Sequence, residues 1–150
     1  MLLLPAGQPI DALEPLAAHQ APVVWKVREG PVGPRWRVAW PEFWFDPIAS
    51  LCALSALTGE AAMVLGQAPF GWTVDVAAGG EHTAGWGRQP QLGHAAQALQ
   101  IPPALLRRSR LRVGKRAAAL LDALGLPDCP LTYQDAEGAR AHRFEVALGF

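Results

Sequence analysis

The sequence predicts one α+β domain over residues 1–150, with a mostly antiparallel sheet built from hairpins and packed on a central buried helix at about 47–65. Three observations predict this class. Early segments alternate apolar and polar residues with the period of two that half-buried strands show. The next long run is small or apolar on all sides, and the stretch 90–124 repeats apolar residues at helical spacing. Strands and helices mixed along one short chain indicate the α+β class.

The composition narrows the kind of protein. At 51% hydrophobic residues, a chain of this length can bury a core without added cross-links. Its formal net charge of zero argues against attraction of the whole surface to nucleic acid or to an anionic membrane. Arginine far exceeds lysine and asparagine is absent, which is typical of a GC-rich, bacterial-type genome. Cys52 and Cys129 fit no metal or redox spacing, so we expect a reducing, cytoplasmic setting and no cofactor.

The first 22 residues are expected to hold at most a short helix, near 11–19, between Pro9 and Pro22. The apolar start is interrupted by Pro5 and has no basic leader, so we expect no signal peptide.

A hairpin is expected next, over residues 23–40. Its simplest register pairs Val27 with Trp36 and Trp25 with Val38. The tryptophan rings then share a face that we expect to be buried. The opposite face would place like charges across from each other, and it could follow a phosphate backbone. It carries the four cations of the hairpin: Lys26, Arg28, Arg35 and Arg37.

The central helix has clear end signals. Asp46 can cap its first turn, and Pro47 suits the first helical position. Gly66 can close the other end, although Gly59 is a point at which the helix could kink or split, since glycine costs about 1 kcal/mol in a helix interior. The run contains too many polar residues for a membrane span, and we expect no membrane partner.

Two more hairpins and a helical segment complete the prediction. In the second hairpin, pairing Trp72 with Trp86 places Val76 opposite His82. Helices are expected at 90–100, from Pro103 onward and at 115–124. A third hairpin would join a strand at 131–134 to a last strand with Phe144 pointing inward.

The strongest functional signal is uneven charge. Between Glu81 and Asp122 there is no acidic residue. A guanidinium group pairs well with phosphate, so this segment could be the footprint of a nucleic acid. The alternative is a solvated helix face whose acidic partners lie elsewhere. The segment contains these cations: Arg88, Arg107, Arg108, Arg110, Arg112, Lys115 and Arg116.

The run 92–110 resembles a helix-turn-helix motif. Ala95 and Ala96 fall where two helices cross, and Ile101 and Leu106 fall where the motif packs inward. The resemblance implies that a second helix from Pro103 presents arginines to a DNA groove.

Three functions follow as hypotheses. The leading one is a nucleic-acid-binding protein, with DNA favoured over RNA, that uses the arginine-rich segment and the basic hairpin face. The second is a protein-interaction module or homo-oligomer with an exposed tryptophan and arginine patch. The third is a small enzyme around His82, with Asp75 and Glu81 beside a glycine-rich turn. A satisfied core histidine is the simpler reading of His82, and no histidine pair has metal-ligand spacing.

Overall fold

A computed structural model describes residues 1–17, 24–43, 46–68, 71–85, 92–106 and 113–145. Over these residues the fold is α+β, as the sequence predicts. The strands, in chain order, are β1 (Leu2–Pro5), β2 (Val24–Val32), β3 (Trp36–Pro41), β4 (Ala62–Ala68), β5 (Gly71–Ala78), β6 (Glu81–Gly85) and β7 (Ala141–Glu145). They form one antiparallel sheet in the order β6-β5-β4-β1-β3-β2-β7. The helices are α1 (Glu14–Ala17), α2 (Pro47–Thr58), α3 (Leu92–Leu99) and α4 (Val113–Ala123), with 3-10 turns at Ile10–Leu13 and Pro103–Leu105.

The sheet separates two hydrophobic layers. One face packs against α2 and the segment 10–17, and the other packs against α3, α4 and the chain that follows α4. Strand β1 lies between β3 and β4, and it is buried on both faces: Leu2 and Leu4 point to the α2 layer, and Leu3 points to the α4 layer. The sequence prediction missed this strand. A short continuous apolar run, without alternation, is what a strand covered on both faces looks like.

Helix α2 is shorter than predicted. Asp46 caps it as expected, because its Oδ1 accepts a hydrogen bond from the Ala49 amide at 3.0 Å. The helix ends at Thr58, because Gly59 adopts the left-handed conformation, with φ of 69°, which most side chains disfavour. The predicted continuation to residue 65 is wrong, since residues 62–68 form β4. The helix is also buried on one side only, and Ile48 and Leu57 are exposed.

The register of the first hairpin differs from the prediction. Arg28 pairs with Trp40 and Glu29 with Ala39, so the predicted cross-strand charge pairs do not form. Strand β2 continues to Val32 and its register shifts beyond Glu29. Gly30 permits this path, since a Cβ there would lie 2.7 Å from the Trp40 ring. A shifted register moves side chains between faces. Trp25 therefore packs in the α2 layer, whereas Trp36 and Trp40 pack in the α4 layer.

The second hairpin has a register error of the same kind. His82 pairs with Ala77 rather than with Val76, and an irregularity follows between Val76 and Ala77. Because Ala77 belongs to the α2 layer, His82 lies on that face and not on the predicted one. Trp86 lies outside the described residues.

The predicted strand at 131–134 is wrong. These residues form turns, in which the Thr132 hydroxyl donates to Asp135 Oδ2 at 2.6 Å and accepts from the Asp135 amide. Such local side-chain bonds compete with strand pairing. Strand β7 pairs with β2 instead, and Phe144 is buried as predicted. None of the helices described is both long enough and apolar enough to cross a bilayer.

Candidate functional site

The predicted nucleic-acid-binding residues fall into two groups. Lys26, Arg28, Arg35, Arg37, Lys115 and Arg116 belong to the described part of the chain. The others lie outside it: Arg88, Arg107, Arg108, Arg110 and Arg112. The structure therefore gives a position to the hairpin cations and to the first turns of α4, but not to the centre of the arginine-rich segment.

Lys26 and Arg28 lie on the sheet face that carries α4. The Arg28 guanidinium stacks 4.1 Å from the centre of the Tyr133 ring, and its Nη1 donates to the Tyr133 carbonyl at 2.6 Å. Lys26 Nζ lies 3.4 Å from Glu42 Oε2. Arg28 is thus held by one neighbouring segment, and Lys26 has a nearby carboxylate.

Arg37 lies on the opposite face, in a mostly buried cluster. Its Nη1 donates to Glu29 Oε1 at 2.7 Å and its Nε donates to the Gln8 carbonyl at 2.8 Å. Arg35 donates to the Leu99 carbonyl. The expectation of a single basic face on this hairpin is wrong, because the β2 cations and Arg37 lie on opposite sides of the sheet.

The described residues include the packing positions of the helix-turn-helix resemblance but not residues 107–112. Ala95, Ala96, Ile101 and Leu106 are buried, and Gln100 takes a left-handed conformation with φ of 55°. The expected second helix is a single 3-10 turn at Pro103–Leu105 as far as the described residues extend. Lys115 is exposed on α4 and Arg116 is half-buried.

The tryptophans of the first hairpin are core residues. Trp25, Trp36 and Trp40 are all buried, as the sequence predicts. The Nε1 of Trp25 donates to the Phe43 carbonyl, and that of Trp40 donates to the Pro130 carbonyl. These three rings cannot be exposed anchors for a protein partner.

A cleft opens at the end of the sheet where β3 and β4 continue past Met1. It has a volume of about 330 Å³. We refer to it as the strand-end cleft, which is lined by residues 41–43, 64–66 and 131–134 together with Met1, Pro47, Thr73 and Asp75. Cavities that bind small molecules begin at about this size.

The wall of the cleft is polar and apolar in about equal measure. Asp75 and Glu42 provide carboxylates, and Phe43 and Tyr133 provide aromatic rings. Among the described lining residues there is no lysine, arginine or histidine. A shallow hollow of about 310 Å³ adjoins it, shares Glu42 and Tyr133 with it, and is also lined by Arg28.

Asp75 connects the cleft to the histidine that the sequence singled out. His82 Nε2 lies 2.9 Å from Asp75 Oδ1, and both side chains are mostly buried. Asp75 is on β5 and His82 is on the neighbouring strand β6, so the sheet fixes their distance. Among the residues that the structure describes, His82 is the one group bonded to the Asp75 carboxylate, through Oδ1.

A second histidine–carboxylate pair lies near the other edge of the sheet. His142 Nε2 lies 2.9 Å from Glu29 Oε2, while Glu29 Oε1 accepts from Arg37. The hydrogen bond from His142, aided by the positive charges of His142, Arg37 and Arg140, lowers the pKa of Glu29 against the opposing effect of burial. Both carboxylate oxygens of Glu29 are therefore occupied.

Sequence reasoning found Asp75 and His82 but not the rest of the cleft. The sequence places Glu42 and Phe43 just before the central helix. It places Thr73 and Tyr133 in strands of the second and third hairpins. Their convergence depends on strand order, which no local pattern encodes. Within the described ranges, no three histidine, cysteine or acidic side chains converge as a metal site would require.

Comparison of the chain with family models, with curated proteins and with solved structures finds no match. Inferences about function therefore depend on the chemistry of the chain itself.

Proposed function

We propose that the protein binds a small ligand in the strand-end cleft. The observation that carries the proposal is Asp75, a mostly buried carboxylate that is oriented by His82 through one oxygen and faces a cavity of ligand size. Polar groups that converge on a cavity of this size are a usual feature of a small-molecule site. The proposal requires no catalytic step.

The cleft can be closed without disturbing the core. Thr73 is exposed on β5, and its hydroxyl donates a long hydrogen bond, 3.3 Å, to the Gly66 carbonyl. Thr73→Trp should fill the cavity and leave the fold intact. Val32→Trp, at an exposed position of β2 that does not line the cleft, is the matched control.

The test is a screen of small molecules by amide chemical-shift mapping on the isotope-labelled protein. We expect compounds that shift the amides of Thr73, Asp75 and Tyr133, that still bind the Val32→Trp variant, and that no longer bind the Thr73→Trp variant. If compounds bind both variants equally, or if their shifts map elsewhere, the cleft is not the site.

We also propose nucleic-acid binding as a second candidate, narrowed to the segment 107–116. It is supported by the density of cations there, by the absence of acidic residues between Glu81 and Asp122, and by the exposure of Lys115 on α4. The hairpin cations are left out, because Arg28, Arg35 and Arg37 are bonded within the fold.

Fluorescence anisotropy with a labelled DNA duplex tests this candidate. Binding should weaken as salt rises, by about 0.9 in log–log slope for each phosphate neutralised, and Arg107→Ala combined with Arg108→Ala should weaken it further. The control is Arg143→Ala, which removes an exposed cation from β7. Absence of binding at low salt, or binding that ignores salt, would contradict the candidate.

A further inference from the structure

We infer that the ligand of the strand-end cleft is a small organic cation, such as a primary amine. This inference rests on the proposed function and adds the charge of the ligand to it. It follows from the sign and the placement of the groups in the cavity wall.

The charged side chains in the wall have one sign. The titratable groups that line the cleft, within the described residues, are Asp75, Glu42, Tyr133 and the amino group of Met1. That amino group donates to the Leu65 carbonyl, and burial lowers its pKa to about 5, so it is uncharged at neutral pH. The nearest described cations make other contacts: Lys26 is near Glu42, and Arg28 is bonded to the Tyr133 carbonyl. Lys26 partly offsets Glu42, but the described lining residues include no cation side chain that offsets Asp75, so an anionic ligand would be repelled by Asp75 and a cation would be attracted to it.

Asp75 is the group best placed to recognise an ammonium. His82 occupies Oδ1, and Oδ2 has no hydrogen-bond partner among the described residues. An N–H donor with a positive charge forms a stronger bond to such an oxygen than a neutral donor does. Because Asp75 is mostly buried, that bond is less screened by water than a bond on the surface.

The aromatic residues of the wall favour the same charge. Phe43 and Tyr133 line the cleft, and ring faces attract cations. The Arg28 guanidinium already covers one face of Tyr133, 4.1 Å from its ring centre, so Phe43 is the ring that we expect to contribute more. Glu42 is more exposed than Asp75 and has Lys26 nearby, so we expect it to contribute less.

Butylammonium chloride is a suitable probe, and sodium butyrate and butanol are controls of similar size. The titration is followed by amide chemical shifts at pH 8.5, which lies above the range in which histidine side chains usually titrate and below that of alkylamines. We expect butylammonium to shift the amides of Thr73 and Tyr133 and to bind more tightly than either control.

Two variants test which carboxylate of the cleft binds butylammonium. Asp75→Asn keeps an oxygen for His82 but removes the charge, and it should weaken butylammonium binding about tenfold. Glu42→Gln should weaken it only about twofold, as expected for an exposed carboxylate. Glu145→Gln, which removes an exposed carboxylate from β7, should leave the affinity unchanged. The amide spectrum of each variant reports whether it is folded, and the Thr73→Trp variant provides a second test of location.

The outcomes separate this inference from the proposed function. If butyrate or butanol binds in the cleft as tightly as butylammonium, if Asp75→Asn has no effect, or if the compounds found by screening carry no positive charge, the inference is wrong and ligand binding stands. If no compound of any charge binds in the cleft, both are wrong.

Discussion

The two histidine–carboxylate pairs are alike in distance and burial but differ in what surrounds them. In each, Nε2 lies 2.9 Å from a carboxylate oxygen, with side-chain exposures of 15% and 19% for His82 and Asp75 and of 15% and 23% for His142 and Glu29. Glu29 also accepts from Arg37, so both its oxygens are used inside the fold. Asp75 has no such cation among the described residues, and it faces a cavity. The same pair of residue types is therefore structural at one edge of the sheet and suited to a ligand at the other.

The comparison predicts a large difference in stability. Hydrogen bonds to charged groups contribute about 1.5–3 kcal/mol each, and Glu29 makes two, so Glu29→Gln should lower the free energy of unfolding by about 2 kcal/mol after allowance for partial exposure. Asp75→Asn should lower it by less than about 1 kcal/mol. Urea unfolding at pH 7 measures both. If the two variants lost equal free energy of unfolding, the two histidine–carboxylate pairs would not differ in their structural role.

The pH dependence of the Glu29 effect sharpens the same point. The folded-state pKa of Glu29 is lowered below its ordinary value of 4.5, mainly by the hydrogen bond from His142. Its stabilisation is therefore complete above about pH 4.5 and is lost as the pH falls through the lowered pKa. The stability difference between the natural chain and Glu29→Gln should shrink as the pH falls from 7 to 3. A constant difference over that range would show that the charge of Glu29 is not what stabilises the fold.

The smallest effect belongs to an exposed ion pair. Lys26 and Glu42, at 3.4 Å, are 49% and 43% exposed in their side chains. Lys26→Met should change the free energy of unfolding by less than about 0.5 kcal/mol. If Lys26→Met lowered the free energy of unfolding as much as Glu29→Gln does, solvent exposure would not be what decides how much each ion pair stabilises the fold.

The fold was predictable where local chemistry is decisive. The Asp46 cap, the break near Gly59 and the burial of the hairpin tryptophans all depend on residue types and short spacing. The registers of the strands were not predictable, because they depend on where a strand bends. Gly30, in contact with the Trp40 ring, moves the β2–β3 pairing out of the simplest register, and that change decides which face each cation occupies.

The candidate site was predictable only in part. Asp75 and His82 were singled out because they lie on adjacent strands of one hairpin, but the predicted register placed them on opposite faces. The register shift between Val76 and Ala77 puts both on one face. Tyr133 reaches the cleft because 131–134 forms turns rather than a strand, and Glu42 reaches it because β1 separates β3 from β4. Because strand β1 was not predicted, the order of the strands could not be predicted. The cavity at the end of those strands could not be predicted either.

The place of β7 at the edge of the sheet has a consequence for how the chain folds. Its partner is β2, and Glu29 and His142 are 113 positions apart. Strands β4, β5 and β6 follow one another directly, so their pairing closes only short loops and can form early, whereas β7 must close a very long one. Contacts that form late in folding act mainly by slowing unfolding. If β7 detaches, the backbone of β2 becomes a bare edge, which is where pairing between two misfolded chains would begin.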